Sequence, residues 1–274
     1  MGDGHLSIKI NCYDDSTLKM KWFSFGSGNK AFVIIPGLSV KSVMDSADAI
    51  AEAYGIFAED YTVYVFDRKE DLISPYSIEN MAEDTVTVMK SLGLGDVTLF
   101  GASQGGAISL VIASKYPDMV SRLILGSTTA HITEEYYSKF EKWVDLARTG
   151  NKTGLYLSFC NDLYPEEVCK QYQDYFKNIA STITSEELER FIILAESLRG
   201  FDITDKLSCI KCPALIMGAF DDTVLDSDMT MEIAERLEET TDIKLFVYNG
   251  YGHAAFDTAP DYKQRIAKWL KEGS

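Results

Sequence analysis

The chain has 274 residues, of which 46% are hydrophobic and 25% are charged. This composition is typical of a globular protein, and the length suffices for one large α/β domain or for one domain that carries an insertion. Forty-two acidic residues against 26 basic residues give a formal net charge of −16, which argues against nucleic acid or an anionic membrane as a partner.

The N-terminal residues and the cysteines both bear on the compartment. The first residues show neither the basic nor the apolar segment of a secretory signal, and no stretch has the length of a membrane span. The five cysteines are scattered and odd in number, which favours a reducing compartment over a disulfide framework. Cys209 and Cys212 form a lone Cys-x-x-Cys pair, for which packing at a strand entrance is a better interpretation than a zinc or redox site. We therefore predict a cytoplasmic protein.

Strands and helices alternate along the first part of the chain. Continuous or alternating apolar runs predict strands, and apolar residues at helical spacing predict helices between them. The predicted strands cover residues 6–10, 18–25, 31–35, 62–66, 97–100 and 122–125, and the predicted helices cover 42–57, a segment that Ser77 caps, and the apolar run 107–113. This alternation indicates a mostly parallel sheet with helices on both faces, in which active groups gather at the carboxyl ends of the strands.

After Gly126 the alternation stops. Residues 128–200 show only helical patterns, one of which opens with the capping box Thr184-x-x-Glu187. Strands are predicted again at 214–217 and 243–248, and helices near 229–237 and 261–270. The sequence therefore predicts an α/β core of residues 1–127 and 201–274 and an inserted all-helical segment of residues 128–200.

One motif in this pattern points to nucleophilic catalysis. Gly101, Ser103 and Gly105 form Gly-x-Ser-x-Gly between a strand-like run and a helix-like run. In that context the serine lies on a tight turn at the N-terminus of a helix, where backbone N–H groups and the helix dipole stabilise developing negative charge. The flanking glycines let neighbouring backbone pass without a Cβ clash. We therefore predict that Ser103 is a nucleophile.

A serine hydroxyl needs a base that accepts its proton, and the base needs a third group that orients it. Of the three histidines, His5 lies near the N-terminus, His131 lies at the entrance to the helical segment, and His253 lies in a glycine-containing loop after the last predicted strand. The position of His253 at a strand end predicts that it is the base. A structural or pocket-lining role is the better interpretation of His131.

The acid is expected after another strand end. Asp221 and Asp222 follow the strand at 214–217, and the chain order Ser…Asp…His matches the α/β-hydrolase arrangement. Asp67 follows a different strand and ranks below this pair. An oxyanion hole needs two backbone donors, which we expect from the N–H groups of Gln104, directly after the nucleophile, and Leu38, in the loop after the strand at 31–35.

Taken together, the sequence resembles an α/β-hydrolase-fold serine hydrolase with a helical cap, over nearly its whole length. The residues that carry the resemblance are Ile34-Ile35-Pro36-Gly37-Leu38, Gly101-Ala102-Ser103-Gln104-Gly105-Gly106, Ile210-Lys211-Cys212-Pro213 and Gly252-His253. The resemblance implies a hydrolase that forms an acyl-enzyme and uses no metal and no organic cofactor. It also implies that the helical insertion is a cap domain.

The resemblance bears on the acid and on the substrate. A count from Gly218 favours Asp221, because the family often has Gly-x-x-Asp at this strand end. We favour Asp222, because Asp222-Thr223-Val224 fits the family's Asp-x-Val/Ile step, in which the apolar residue packs under the loop. The loop after Asp67 lacks the family's Gly-x-Gly-x-Ser pattern, a departure that affects the shape of the pocket and hence the substrate.

These features predict a carboxylic ester hydrolase that acts on a small or medium substrate under the cap. The same three residues, Ser103, His253 and Asp222, also serve thioester hydrolysis, acyl transfer and carbon–carbon bond hydrolysis, so these activities remain alternatives. A small-molecule sensor on the same fold is the alternative from another class of protein. It is disfavoured because all three members of the predicted triad are present.

Overall fold

A computed structural model describes residues 6–272, which form one eight-stranded sheet with helices on both faces. The strands are β1 (Lys9–Asp14), β2 (Lys19–Phe25), β3 (Lys30–Ile35), β4 (Tyr61–Lys69), β5 (Val97–Ala102), β6 (Val120–Gly126), β7 (Ala214–Ala219) and β8 (Ile243–Tyr248). The α-helices are α1 (Ala47–Ala53), α2 (Ile78–Ser91), α3 (Gln104–Lys115), α4 (Glu134–Arg148), α5 (Lys152–Leu163), α6 (Glu166–Ser181), α7 (Ser185–Glu196), α8 (Ser227–Glu238), α9 (Ala255–Thr258) and α10 (Tyr262–Glu272). Short 3₁₀ helices cover Val43–Ser46, Gly55–Phe57, Pro117–Met119 and Thr204–Cys209. His5 lies outside the described residues.

The sheet confirms the predicted α/β class. Its strand order is β1-β2-β4-β3-β5-β6-β7-β8. β1 and β2 form an antiparallel hairpin, and β2 pairs antiparallel with β4. The strands from β3 to β8 run parallel to one another, so their carboxyl ends lie at the same edge of the sheet.

Each central strand is buried on both faces. In β3, Phe32 and Ile34 pack into a cluster with α1 and α10, whereas Val33 and Ile35 pack on the opposite face with α2, α3 and α8. Successive side chains of a strand point to opposite faces, so a strand covered by helices on both sides needs an apolar residue at every position. This burial explains why the sequence at 31–35 reads as a continuous apolar run.

The four helices α4 to α7 are inserted between β6 and β7. The two chain segments that enter and leave the insertion are hydrogen-bonded to each other: the Ile132 N–H donates to the Phe201 carbonyl at 2.8 Å, and the Ile203 N–H donates to the Ala130 carbonyl at 2.9 Å. His131 lies in this crossing and pairs with Asp202 in an antiparallel bridge. The predicted helical region is therefore present, while its definition as a separate domain of residues 128–200 stays a prediction.

The predicted first strand and the predicted helix over 42–57 differ from the structure more than by small shifts at their ends. β1 begins at Lys9 and extends to Asp14, and the following turn is short because Asp15 Oδ1 accepts hydrogen bonds from the N–H groups of Thr17 and Leu18 at 2.7 and 2.8 Å. The helix predicted over 42–57 is divided into a 3₁₀ turn, α1 and a second 3₁₀ turn. That second turn starts at Gly55, a residue with poor helix propensity.

Candidate active site

Ser103 lies on a strained turn between β5 and α3. Its backbone dihedrals are φ 52° and ψ −124°, a conformation that costs a non-glycine residue about 1–3 kcal/mol. The turn is held by its neighbours on the sheet, because the Ser103 N–H donates to the Gly126 carbonyl at 2.8 Å and the Ser103 carbonyl accepts from Thr128 Oγ1 at 2.7 Å. These bonds explain why the strained backbone persists at the carboxyl edge of the sheet.

The glycines of the motif are required by close backbone contacts. A Cβ atom on Gly105 would lie 2.0 Å from the carbonyl oxygen of Ile35 at the end of β3. A Cβ atom on Gly101 would lie 2.3 Å from the Gly105 carbonyl oxygen and 2.3 Å from Ser109 Oγ. Glycine at these two positions therefore lets α3 approach β3 and β5 closely enough to form the turn.

A chain of hydrogen bonds joins the three residues predicted as a catalytic triad. His253 Nε2 lies 2.9 Å from Ser103 Oγ, and His253 Nδ1 lies 2.8 Å from Asp222 Oδ2. Ser103 follows β5, Asp222 lies in the loop after β7, and His253 lies in the loop after β8. The parallel strands thus bring together residues that are up to 150 positions apart in the sequence.

The Asp222 carboxylate is buried and fully engaged. Its Oδ1 accepts hydrogen bonds from the N–H groups of Val224 at 2.8 Å and Leu225 at 2.9 Å, while Oδ2 faces the imidazole. The side chains of Asp222 and His253 are each only 1% exposed. A buried charge is tolerated when its lone pairs are satisfied, so this network holds the carboxylate in one orientation against His253 Nδ1.

Asp221 points to a different partner from Asp222. Its Oδ1 accepts a hydrogen bond from the Gly250 N–H at 2.9 Å, and its Oδ2 accepts one from the Gly252 N–H at 3.0 Å. Both glycines have positive φ and belong to the loop that carries His253. The structure therefore places Asp222 on the imidazole and Asp221 on the backbone of the histidine loop, a contact that the sequence reasoning did not anticipate.

The segments that carry the two predicted oxyanion donors lie beside the serine. A Cβ atom on Gly37, the residue before Leu38, would lie 3.2 Å from Ser103 Cβ and 3.8 Å from Ser103 Oγ. Gln104 begins α3, and its side chain is tied on both sides: Oε1 accepts from Arg68 Nη2 at 3.3 Å, and Nε2 donates to the Leu194 carbonyl at 2.7 Å. The side chain of Gln104 thus connects the core to the inserted helix α7.

The inserted helices also contact the histidine and aspartate loops. The Ala254 N–H, next to His253, donates to the Leu163 carbonyl at the end of α5 at 2.9 Å. Thr223 Oγ1, next to Asp222, donates to the Asp162 carbonyl at 3.0 Å. With these helices in place, Ser103 is 9% exposed and His253 is 1% exposed. The insertion therefore contacts the loops that carry His253 and Asp222.

The two remaining predicted candidates lie elsewhere. His131 is at the base of the insertion, where its Nδ1 lies 3.4 Å from Glu232 Oε2. Asp67 accepts hydrogen bonds from Ser42 Oγ at 2.5 Å and from Arg190 Nη2 at 2.8 Å. His131 thus faces α8, and Asp67 pairs with a residue of the inserted helix α7.

Neither a metal cluster nor a membrane span is found within the described part of the chain. Between residues 6 and 272 no three histidine, cysteine or carboxylate side chains come together in a way that would hold a metal ion. None of the helices in the same range combines the length and the apolar character that a bilayer crossing requires.

A serine on a strained turn between a strand and a helix, facing a histidine that follows the last strand, distinguishes the α/β hydrolases among α/β proteins. A family model described as the alpha/beta hydrolase fold matches residues 30–260. The match covers most of the chain, and the chain therefore belongs to the alpha/beta hydrolase fold family. Membership of this family supports a hydrolytic enzyme.

Known relatives are similar in sequence or in fold. Serine hydrolase BPHL from Mus musculus is 29% identical over 134 residues, which are 45% of this chain and 46% of that protein, so this chain spans less than half of its length. The solved structure of MGS-M2, an alpha/beta hydrolase enzyme from a Medee basin deep-sea metagenome library, is 19% identical and has a TM-score of 0.84 over 95% of this chain and 97% of that chain. The enol-lactonase from Burkholderia xenovorans is 16% identical and has a TM-score of 0.80 over 95% of this chain and 100% of that chain. At these identities the two structures share the fold.

Proposed function

We propose that the protein is a cofactor-independent serine hydrolase that cleaves carboxylic esters of small or medium size through an acyl-enzyme. The observation that carries the proposal is the continuous hydrogen-bond chain from Asp222 through His253 to Ser103. The serine hydrolase from Mus musculus supports the same class of nucleophile. The complete chain of three residues also favours an enzyme over a ligand sensor.

In the proposed reaction, Ser103 Oγ attacks the ester carbonyl carbon and passes its proton to His253 Nε2. Asp222 accepts a hydrogen bond from the Nδ1–H group of His253. This bond selects the tautomer in which Nε2 is free to take a proton, and it stabilises the imidazolium that forms. The backbone N–H groups of Leu38 and Gln104 bind the oxyanion of the tetrahedral intermediate.

Collapse of that intermediate breaks the bond to the leaving alcohol, which takes the proton from His253 and leaves the acyl group on Ser103. A water molecule then attacks the acyl carbon with His253 again as the base. The second collapse releases the acid and returns the proton to Ser103 Oγ.

A fluorophosphonate probe should label the folded protein at one site, because such probes react with an activated serine. Ser103→Ala should abolish the labelling and leave the circular dichroism spectrum unchanged, since it removes one oxygen and no core packing. Ser114→Ala is the matched control on the same helix: Ser114 Oγ donates only to the Val111 carbonyl, and this variant should label like the wild type. Labelling that persists in Ser103→Ala would assign the nucleophile to another residue.

Substrate size should also affect the rate, because the inserted helices contact the loops of His253 and Asp222 and Ser103 is only 9% exposed. A short soluble ester should be hydrolysed at least about tenfold faster than a polymer-linked ester of the same acyl group. A bulky substrate cannot bring its carbonyl carbon close to Ser103 Oγ in an enclosed site. The measurement is kcat/KM on the free ester and on the polymer-linked ester. Equal values would show that the insertion does not restrict access.

A further inference from the structure

A small cavity lies between the core and the inserted helix α7, beside the predicted oxyanion donors. Its volume is about 10 Å³, which is room for one water-sized group. The cavity is lined by Gly37 and Gln104 on the core side and by Arg190 on α7. Gly37 also packs against Ser103, so a single residue separates the cavity from the proposed nucleophile in space.

The lining of the cavity carries a net positive charge. The guanidinium groups of Arg68 and Arg190 both line it, and Asp67 is the one carboxylate among the lining residues. Asp67 is already engaged: Oδ1 accepts from Arg190 Nη2 at 2.8 Å and from the Arg68 N–H at 2.7 Å, and Oδ2 accepts from Ser42 Oγ. Two cations and one anion leave one positive charge without a counter-ion in the lining, in a chain whose net charge is −16.

Both arginines also have an unused donor. Arg68 is 5% exposed, and its Nη2 donates to the Pro36 carbonyl at 2.7 Å. Arg68 Nε and Arg190 Nη1 are buried and have no hydrogen-bond partner within residues 6–272. Burial lowers the pKa of Arg68 to about 10 and neighbouring Asp67 raises it in part, so the guanidinium remains charged at neutral pH. Buried donors of this kind are normally satisfied by an acceptor.

We propose that this cavity receives one oxygen of a carboxylate on the substrate. The enzyme would then prefer esters that carry a free carboxylate in addition to the ester group. The inference rests on the proposed ester hydrolysis at Ser103. A carboxylate is a pure acceptor, and it both pairs with guanidinium N–H groups and balances the excess charge. The cavity matches the size of one oxygen atom, and Gly37, which lines it, also packs against Ser103. A water molecule in the cavity would leave the charge unbalanced.

The first test uses wild-type protein and pairs of methyl esters that differ only in charge. Monomethyl succinate is compared with methyl succinamate, in which a neutral amide replaces the carboxylate, and the corresponding glutarate pair tests a longer spacing. The hemiester should have a kcat/KM at least about tenfold higher than its amide in one pair or both, because charge-assisted hydrogen bonds to a buried guanidinium are strong. Equal values in both pairs, or a preference for the amides, would overturn the proposal.

The second test assigns the preference to the arginine pair. In Arg190→Gln the ratio of kcat/KM for hemiester over amide should fall to near one, mainly through a higher KM for the hemiester. Arg199→Gln is the matched control, because Arg199 follows the same helix but pairs with Glu134 on the surface, and it should keep the wild-type ratio. Arg190→Lys keeps the charge and should retain part of the ratio.

The outcomes separate this inference from the proposed function. If wild-type protein hydrolyses the neutral esters but shows no preference, the serine hydrolase proposal stands and the carboxylate site is wrong. If it hydrolyses no ester of either charge, the proposed function itself fails. Should Arg190→Gln not fold, competition in wild type decides the question: succinate should inhibit hydrolysis of a neutral ester and succinamide should not, and equal inhibition would exclude the site.

Discussion

Replacing Asp222 with asparagine should lower kcat by about 10⁴, as the same change does in a comparable triad. An asparagine amide places an N–H₂ group or a neutral oxygen against His253 Nδ1 and no longer stabilises the imidazolium. It also changes the acceptor for the Val224 and Leu225 N–H groups, so the orientation of the side chain is affected. The measurement is kcat on one soluble ester at saturating concentration.

Asp221→Asn is the matched control for this prediction. Asp221 is adjacent in sequence, but its carboxylate accepts hydrogen bonds from the Gly250 and Gly252 N–H groups and not from the imidazole, which faces Asp222. The loop is held independently by the bond from the Ala254 N–H to the Leu163 carbonyl, so kcat should stay within about tenfold of the wild type. A larger loss in Asp221→Asn than in Asp222→Asn would reverse the two assignments.

Gly105→Ala should destabilise the protein by more than about 4 kcal/mol or prevent folding, an effect that few single substitutions reach. The added Cβ atom would lie 2.0 Å from the Ile35 carbonyl oxygen and 2.5 Å from the Pro36 carbonyl oxygen. Both contacts are with backbone at the end of β3, which cannot move without breaking its pairing with β5. The free energy of unfolding, measured in urea, gives the size of the effect.

Gly95→Ala is the control that isolates the steric term. Gly95 is exposed, and a Cβ atom there would have no heavy atom within 4 Å. The free energy of unfolding should therefore change by no more than about 1 kcal/mol, as for an alanine placed in an unstrained loop. If Gly105→Ala lowers the free energy of unfolding no more than Gly95→Ala does, helix α3 does not approach β3 as closely as the structure indicates.

The features that sequence determined by itself are those with a local physical signal. An apolar residue at every position of 31–35 indicates a strand covered on both faces, and the alternation of such strands with helices predicted the α/β class and the inserted helical region. The turn at Ser103 was predicted in the same way, because the two glycines at fixed spacing are needed for that particular turn. The end of β1 depends on hydrogen bonds to Asp15, and the break after α1 depends on Gly55. The spacing of apolar residues predicts neither feature.

Only the tertiary structure decided which side chains meet. Asp221 and Asp222 are chemically identical neighbours, and their roles differ because the loop after β7 turns one carboxylate towards the Gly250 and Gly252 N–H groups and the other towards His253. Arg190 meets Asp67 across 123 positions of sequence, and no local pattern at either residue signals that contact. Contacts of this kind depend on the packing of the inserted helix α7 against the sheet edge, and packing is a property of the whole fold rather than of a segment.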